Sequence, residues 1–447
     1  QDSKEWWAAV CKGIKNCLDE SGLKGSDIVG IGVDGQSWSA IPVDKSNEVL
    51  ANTPIWFDTR SEKQVKDLQE RIGDERVFQL NGNIFRSTHM TPKYKWFQEE
   101  RPDIYQKTAH FLSSNAFIVM KLTDQVSSDY SQNYGVHFFD TTNMRYDNEL
   151  TKEMGLNPNL FPPAFACHEI VGKVTEKAAK ETGLASGIPV VAGGLDAATG
   201  TLGCGVLENG ETQIQGGQAG GMSICEDEPR SAKELIISPH VVPGRWLLQG
   251  GTVGGGGVLR WLKESFLTDK SFNEITELAA SSPVGSNGVL FFPYMAGERS
   301  PIWNPKAKGV YYGLSFERNK ADMIRSSMEG VVLSVAHNFQ IAYQLGIRVE
   351  ELDIYAMGGM ANSEFWMQIF CDVLDREIKI ASSDTATNLG TIILAGVGIG
   401  LHDDFSVAKD FAKVQRKQEP NKENVRIYKD VLEEYLRISE GLQGLFR

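Results

Sequence analysis

The sequence predicts an α/β protein of two lobes, and three observations support this prediction. Segments of strand character alternate with segments of helical periodicity along most of the chain. The composition changes near Glu208, after which glycine-rich strands are common. The length of 447 residues is enough for about two or three domains. We therefore predict one lobe over residues 1–208 and a second over residues 209–447, each built of packed strands and helices.

The first lobe is predicted to begin with an amphipathic helix that ends before Gly22, a residue suited to a C-terminal cap. The apolar residues of this helix recur at three- and four-residue spacing: Trp6, Trp7, Val10, Ile14 and Leu18. A strand over 27–35 and a second over 38–44 are predicted to form a hairpin. Helices follow over 61–72, 92–100 and 113–122, and a strand, helix and strand cover 170–194.

The second lobe is predicted to combine glycine-rich strands with long helices. The strands are expected over 213–224, 244–253, 352–359 and 377–381, and the helices over 320–345, 363–374, 387–398 and 421–440. Strands that alternate with helices in this way are typical of α/β proteins.

The overall charge and the cysteines exclude several classes of protein. The formal net charge of -13 argues against a broad nucleic-acid or membrane surface, because such partners are held largely by Lys and Arg. The six cysteines form no CxxC pair, so neither a disulfide framework nor a zinc site is predicted. The apolar stretch 390–400 is too short to span a membrane, and the polar start does not resemble a signal peptide. We therefore predict a cytoplasmic protein.

Four glycine-rich turns lie in the second half of the chain or at its threshold, over residues 193–203, 215–221, 249–257 and 357–363. Glycine at a strand end either permits a positive φ or close strand packing, or it exposes backbone N–H groups to an anion. Both interpretations stay open for each turn. None of the four matches GxxxxGK[ST] or a clean GxGxxG. If the four turns meet in one cleft, their backbone N–H groups are suited to binding a triphosphate.

The most specific segment is GVYYGLSFERNKADMIRSSMEG, residues 309–330, which resembles the C-terminal signature of the FGGY carbohydrate kinases. Residues 291–309 and 82–100 are similar to two further segments of that family, so the resemblance covers nearly the whole chain. It implies a two-lobed actin-like ATPase (ribonuclease H-like) fold with the active site in the interdomain cleft. It also implies phosphorylation of a small sugar or polyol by ATP with Mg²⁺, although no residue is assigned as a metal ligand.

The resemblance assigns the general base to Asp196, in the glycine turn at the lobe junction. Phosphoryl transfer to a sugar requires alignment, charge stabilisation and removal of the hydroxyl proton, and one carboxylate within hydrogen-bond reach performs the last task. The glycines around Asp196 allow the backbone to approach the sugar and phosphates. The alternative is that Asp196 is a helix N-cap.

The resemblance places the nucleotide against the second lobe. The turn 215–221 corresponds to a family phosphate loop, from which it departs because Gln218 and Ala219 replace two hydroxyl residues. The segment 357–363 resembles the adenosine motif. The predicted nucleotide contacts are Gly217, Gln218, Gly220, Gly255, Gly358, Gly359, Asn362 and Ser363; each could instead be a plain turn residue.

The resemblance places the sugar against the first lobe. The segment IWFDTR over 55–60 is similar to the Trp-x-Asp-x-Arg of xylulokinases, whereas Ser37 and Trp38 replace the Met-His of many xylulokinases and the Arg-Glu of glycerol kinases. Trp38 either stacks on the sugar or fills the core. The predicted substrate contacts are Gln36, Ser37, Trp38, Asp58, Arg60 and His89.

The best single substrate implied by the resemblance is D-xylulose. Rhamnulose, gluconate and autoinducer-type substrates stay open, as does a catalytically weak sugar or nucleotide sensor. Family members open with a strand and a DxGT phosphate loop that this sequence lacks, so strongly reduced activity is expected of this chain. Dimers are common in the family, so a homodimer is one of the oligomeric states that the resemblance leaves open.

Overall fold

The computed structural model describes residues 1–381 and 385–446. Its helices are α1 (Ser3–Ser21), α2 (Glu62–Arg71), α3 (Asp74–Asn81), α4 (Met90–Glu100), α5 (Pro102–Tyr105), α6 (Ser114–Thr123), α7 (Asn148–Glu153), α8 (Glu176–Thr182), α9 (Asp196–Gly203), α10 (Gly256–Phe266), α11 (Phe272–Ala280), α12 (Lys320–Gln344), α13 (Glu364–Leu374), α14 (Ala386–Gly398), α15 (Val407–Phe411) and α16 (Lys422–Gln443).

The strands are short in the first half of the chain and longer in the second. They are β1 (Asp34–Gly35), β2 (Ile41–Val43), β3 (His110–Leu112), β4 (Ser128–Asp129), β5 (Phe139–Asp140), β6 (Arg145–Tyr146), β7 (Ala164–Phe165), β8 (Ile170–Lys173), β9 (Pro189–Val191), β10 (Gly194–Leu195), β11 (Glu211–Gly216), β12 (Gly220–Glu226), β13 (Ile236–Pro239), β14 (Trp246–Thr252), β15 (Leu290–Phe292), β16 (Val310–Tyr312), β17 (Asp353–Met357), β18 (Ile378–Ala381) and β19 (Val414–Gln418).

The second lobe is organised by a mixed sheet with the strand order β13-β14-β12-β11-β17-β18-β19 among the described residues. β11 pairs antiparallel with β12 and parallel with β17, so the 216–221 turn between β11 and β12 lies at one end of the central strands. Helix α12 carries the second half of the 309–330 segment that resembles the family signature. Its apolar residues, including Val331, Val332 and Val335, are fully buried in the core of this lobe.

The predicted strand over 27–35 is wrong for most of its length, because only Asp34–Gly35 form a ladder, with β10. The segment is extended and bonds on one side only, where the Ile31 N–H donates to the Pro189 carbonyl (3.0 Å) and the Val191 N–H to the Ile31 carbonyl (3.0 Å). Its other side lies against α14. A Cβ on Gly32 would be 2.5 Å from the Thr391 carbonyl oxygen.

The predicted hairpin between 27–35 and 38–44 is also wrong, because β2 pairs antiparallel with β3 instead of with β1. The chain turns between β1 and β2 at Trp38, whose φ of 53° lies in the left-handed region that side-chain-bearing residues rarely adopt. This turn directs residues 41–43 away from β1 and towards β3.

Most predicted helices lie within a few residues of their expected positions. Helix α1 ends at Gly22, whose φ of 71° provides the left-handed cap. The segment 213–224, expected as one strand, forms the end of β11, a turn and most of β12. No helix within residues 1–381 and 385–446 is long and apolar enough to cross a membrane.

The two lobes contact each other at two places, one between α14 and α9 and the other at Asn83. Helix α14, from the second half of the sequence, packs closely on α9, and a Cβ on Gly203 would be 1.8 Å from the Ala386 carbonyl oxygen. Asn83 of the first lobe exchanges two hydrogen bonds with the Ile237 backbone (2.9 and 3.2 Å). A cleft remains between these contacts.

Candidate active site

Asp196 is held at the end of a parallel strand pair, at the start of α9. Gly193, with a φ of 74°, lets β10 lie close to β1, since a Cβ there would be 1.9 Å from the Val33 carbonyl oxygen. The N-cap of α9 is Leu195, so the alternative interpretation of Asp196 as the N-cap is wrong. Asp196 is the first helical residue, and its carboxylate is free to face the cleft.

The environment of Asp196 suits a general base. Burial raises the pKa of its carboxyl group to about 6, the nearby Asp34 raises it further, and the hydrogen bond from the Ala197 N–H to Oδ1 (2.7 Å) opposes both. A carboxylate whose pKa is near the working pH is a better proton acceptor than one of ordinary acidity.

Asp196 lines a cavity of about 320 Å³ whose walls come from both lobes; we call it the Asp196 cavity. The first lobe contributes Ser37, Trp38, Trp56, Tyr134 and Asp196, and the second contributes Gln215, the 219–223 segment, Ile236, Gln249, Gly250, Gly251, Arg299, Ser300 and Trp303. Aromatic rings with hydroxyl and amide groups between them are the surfaces that bind the apolar faces and hydroxyls of a sugar.

The predicted contacts Ser37 and Trp38 both line this cavity. The Tyr134 hydroxyl lies 3.2 Å from Ser37 Oγ. His89 does not line it. This residue is fully buried behind Trp38, with ring centroids 4.4 Å apart, and its Nδ1 lies 3.1 Å from Nε2 of His137. Burial holds the pKa of His89 well below its usual range, so the ring is neutral and supports the Trp38 wall.

The other predicted sugar contacts lie outside the cavity. Asp58 and Arg60 form an ion pair in which Arg60 Nε and Nη2 donate to the carboxylate at 2.7–3.0 Å, and the Arg60 guanidinium stacks on Trp96. The Gln36 amide donates to Gln1 Oε1 (3.3 Å), while its backbone carbonyl accepts from Ser114 Oγ (2.7 Å). A direct sugar contact by these three residues stays a prediction.

A buried lysine bonds to the loops around Trp38 and Trp56, which form the first-lobe wall of the Asp196 cavity; we call this the sugar-side wall. Lys93 Nζ donates to the carbonyl oxygens of Trp38 (2.8 Å), Ile55 (2.8 Å) and Thr88 (2.5 Å). These acceptors satisfy all three N–H groups of an ammonium. Burial lowers the pKa of Lys93 to about 7, whereas the three carbonyl dipoles favour the charged form.

A second cavity, of about 650 Å³, lies in the second lobe, and we call it the second-lobe cavity. It is lined by five of the predicted nucleotide contacts, Gly217, Gln218, Gly359, Asn362 and Ser363. Gly255 and Gly358 lie beneath its floor: the Gly255 N–H donates to the Gln218 carbonyl (3.1 Å), and a Cβ on Gly358 would be 2.8 Å from the Gly216 carbonyl oxygen. Ser363 also caps α13.

The 216–221 turn separates the two cavities and lines both. Gly216, Gly217 and Gln218 face the second-lobe cavity, whereas Ala219, Gly220 and Gly221 face the Asp196 cavity. A ligand in the second-lobe cavity that extends over this turn therefore points towards Asp196. Phosphoryl transfer requires the donor and acceptor oxygens in line on opposite sides of the phosphorus, so a transferred phosphate would lie at this turn, where the two cavities meet.

The comparisons with known proteins agree with this geometry. The family model for the N-terminal domain of the FGGY family of carbohydrate kinases matches residues 1–203, and the model for the C-terminal domain matches residues 222–399. The chain belongs to the FGGY family of carbohydrate kinases. It is therefore an enzyme that phosphorylates a carbohydrate. The predicted lobe boundary at 208/209 falls between the two matches and stays a prediction.

Individual relatives of this FGGY kinase extend over nearly its whole length. A xylulose kinase of Staphylococcus epidermidis is 32% identical, covering 99% of this chain and 88% of the relative. A gluconokinase of Bacillus licheniformis is 26% identical, covering 91% of this chain and 81% of the relative. The ligand-bound xylulose kinase structure from Lactobacillus acidophilus superposes with a TM-score of 0.91 at 22% identity, covering 100% of this chain and 90% of that one. The two-lobed α/β fold of this kinase is thereby confirmed.

Sequence reasoning missed four residues that line the Asp196 cavity of this kinase: Trp56, Tyr134, Arg299 and Trp303. Trp56 lies within the IWFDTR segment, in which the charged Asp58 and Arg60 were the predicted contacts. Arg299 and Trp303 lie in the 291–309 loop that resembles the family, and the isolated Gly-Glu-Arg there was the available signal. Tyr134 carried no local signal.

No group of three or more His, Cys, Asp or Glu side chains that could hold a metal ion lies within residues 1–381 and 385–446. Asp196 lines the cavity, and Asp34 lies near enough to raise its pKa. Thr391 Oγ1 donates to Asp34 Oδ2 (2.8 Å).

The raised pKa of Asp196 predicts the pH dependence of this kinase. A general base acts in its deprotonated form, so with Asp196 in that role kcat/KM is expected to fall about tenfold per pH unit below about 6 and to be level above it. Steady-state rates between pH 4.5 and 8 check this. Asp34→Asn removes the like charge and should move the midpoint to lower pH; a midpoint that does not respond to Asp34 would contradict the account.

Gly255→Ala is expected to raise the KM for the nucleotide at least about tenfold, because the new Cβ would lie 2.2 Å from the Ala219 carbonyl carbon and displace the turn. Gly441→Ala is the matched control, since a Cβ there has nothing within 4 Å. Isothermal titration with ADP measures the effect. Equal ADP affinity in Gly255→Ala and wild type would show that this turn does not form the phosphate cradle.

Proposed function

We propose that this kinase transfers the terminal phosphoryl group of ATP, with Mg²⁺, to a terminal hydroxyl of a small sugar, with Asp196 as the general base. The observation that carries the proposal is the position of Asp196 in a cavity directly across the 216–221 turn from a second-lobe cavity large enough for a nucleotide. D-xylulose is the first substrate we propose, since xylulose kinases are among its relatives.

Each wall of the cleft has a task in this scheme. Trp38 and Trp56 hold the apolar face of the sugar, and Ser37 and Tyr134 provide hydroxyl groups for its polar edge. The backbone N–H groups of the 216–221 turn hold the transferred phosphate. Asp196 takes the proton of the attacking hydroxyl, whose oxygen bonds to phosphorus as the bond to ADP breaks.

Membership of the family does not identify the individual sugar, so the substrate assignment needs its own evidence. Ser37 and Trp38 replace the Met-His pair of many xylulokinases, and a gluconokinase is also among the relatives. Trp38 is larger and less polar than histidine, so it makes the sugar-side wall more apolar. Rhamnulose, gluconate and autoinducer-type substrates are therefore included in the test.

The test is release of ADP from Mg-ATP with a panel of ketoses, polyols and sugar acids. D-xylulose is expected to give sugar-dependent ADP and a phosphorylated product detected by mass spectrometry. If only a sugar acid is phosphorylated, the proposed substrate class changes from a ketose to a sugar acid. If the protein binds sugar and nucleotide but releases no ADP, the observation favours a sensor over an active kinase. The assay includes a longer version that begins with the family's DxGT loop, because the chain spans 88% of the Staphylococcus epidermidis relative.

A further inference from the structure

Arg299 is the one positively charged residue among the described residues that line the Asp196 cavity. It lies in the loop between β15 and β16, and its side chain also lines an adjoining cavity of about 470 Å³. Burial lowers the pKa of Arg299, but an arginine remains charged in proteins. The site therefore places a fixed positive charge beside the proposed base.

The Arg299 guanidinium has little bonding within the described protein. Nη2 lies 3.5 Å from the Thr252 carbonyl oxygen, at the outer limit of a hydrogen bond, and Nε is buried without a partner. The adjacent Glu298 carboxylate opposes the lowering of the Arg299 pKa, but its hydrogen bonds come from Thr252 Oγ1 (2.7 Å), the Val253 N–H (2.9 Å) and the Arg299 N–H (2.7 Å) and not from the guanidinium. A desolvated cation without a partner is costly, so this position favours an anionic ligand.

Two observations place the guanidinium beside the 216–221 turn and in the same cavity as Asp196. A Cβ on Gly251 would be 3.2 Å from Arg299 Nη2 and 3.2 Å from the Gly220 carbonyl oxygen, so Arg299 lies beside the 216–221 turn. Tyr134, Asp196 and Arg299 also line the same cavity. A phosphoryl group that moves from the turn to a hydroxyl near Asp196 therefore does so within the cavity that Arg299 lines.

We propose that Arg299 is a catalytic residue that contacts the phosphoryl group during transfer and stabilises its negative charge. This inference rests on the proposed function. As the sugar oxygen bonds to phosphorus and the bond to ADP breaks, charge spreads over the three equatorial oxygens, and the guanidinium provides paired N–H donors for them. Arg299 thereby supplies what Gln218 and Ala219 lack, since this turn has no hydroxyl side chain at those two positions.

The kinetic test compares Arg299→Gln, Arg299→Lys and wild type with the best sugar of the panel. Arg299→Gln is expected to lower kcat about 10²-fold or more while the KM for the sugar changes less than about threefold, and Arg299→Lys should recover part of the loss. Arg318→Gln, a charge-matched change in the same lobe outside all three cavities, is expected to retain wild-type rates. A raised sugar KM with unchanged kcat would overturn the proposal.

A binding test gives a readout besides turnover. Sugar and ADP with aluminium fluoride, which mimics the transferred phosphoryl group, should bind wild type at least about 10²-fold more tightly than Arg299→Gln, while ADP alone binds both equally. Equal ADP affinity and an unchanged thermal midpoint establish that the variant is folded; if Arg299→Gln does not fold, the comparison uses Arg299→Lys. Equal affinity for the mimic overturns the inference alone, whereas failure of wild type with every sugar overturns the proposed function.

Discussion

Replacing Asp196 with Asn is expected to lower kcat for sugar phosphorylation by about 10²- to 10⁴-fold. The amide has the size of the carboxylate but cannot accept the hydroxyl proton, so alignment of sugar and nucleotide is retained while the proton acceptor is lost. The affinity for the sugar should change less than about threefold because the cavity wall keeps its shape. Coupled ADP assays give kcat, and isothermal titration gives the sugar affinity.

The control for this variant is Asp19→Asn, which changes an exposed carboxylate of α1 far from the cleft. It should retain wild-type kinetics. The pH profile of Asp196→Asn should also lose the step near pH 6, because the group that titrates there is gone. Full activity in Asp196→Asn would remove this residue as the base.

Replacing Glu329 with Ala is expected to lower the free energy of unfolding by about 3–5 kcal/mol. Glu329 is buried in α12 and pairs with the buried Arg325, whose Nε donates to Oε1 (2.7 Å). The carboxylate also accepts from the Tyr428 hydroxyl (2.7 Å), Ser286 Oγ (2.7 Å) and the Gly285 N–H (3.1 Å). Its removal leaves a buried cation and three buried donors without their acceptor.

Urea denaturation followed by circular dichroism measures this change. Glu317→Ala is the control in the same signature segment, since the Glu317 side chain is 85% exposed and its ion pair with Arg318 spans 3.9 Å. That variant should stay within about 0.5 kcal/mol of wild type. A loss below about 1 kcal/mol in Glu329→Ala would show that the network is not needed to hold α12 against α16.

The sequence predicted the elements whose signals are local. The cap of α1 at Gly22 and the long α12 follow from periodicity and capping residues that lie within the elements themselves. The strand over 27–35 and its hairpin were wrong because pairing is decided by tertiary partners. Residues 27–33 bond on one side only, and the left-handed turn at Trp38 directs β2 to β3.

The candidate site was predictable where it is built from glycine turns. Gly217 and Gln218 line the second-lobe cavity, and Asp196 lies across the turn from them. The remaining walls of the Asp196 cavity come from segments far apart in sequence, and Tyr134 belongs to no local pattern that indicates a ligand. Only the fold brings these residues together, so periodicity and motif spacing could not reveal them.

The sugar-side wall shows how the core supports function. Trp38 lines the cavity in a left-handed conformation, His89 packs behind its ring, and Lys93 holds its carbonyl oxygen. A residue in this backbone region costs about 1–3 kcal/mol and persists only when its surroundings hold it. The surroundings therefore fix the position of Trp38, and in the proposed sugar complex this would lower the entropy lost on binding.

The central claim is that Asp196 takes the proton of the hydroxyl that is phosphorylated. A crystal structure of this kinase with ADP and its best sugar tests the claim most directly, through the distance from Asp196 to the nearest terminal hydroxyl oxygen of the sugar. We predict a distance of about 2.6–3.2 Å, with the ADP phosphates on the far side of the 216–221 turn. A sugar bound with every hydroxyl beyond hydrogen-bond reach of Asp196, and with another acid beside the terminal hydroxyl, would contradict the account.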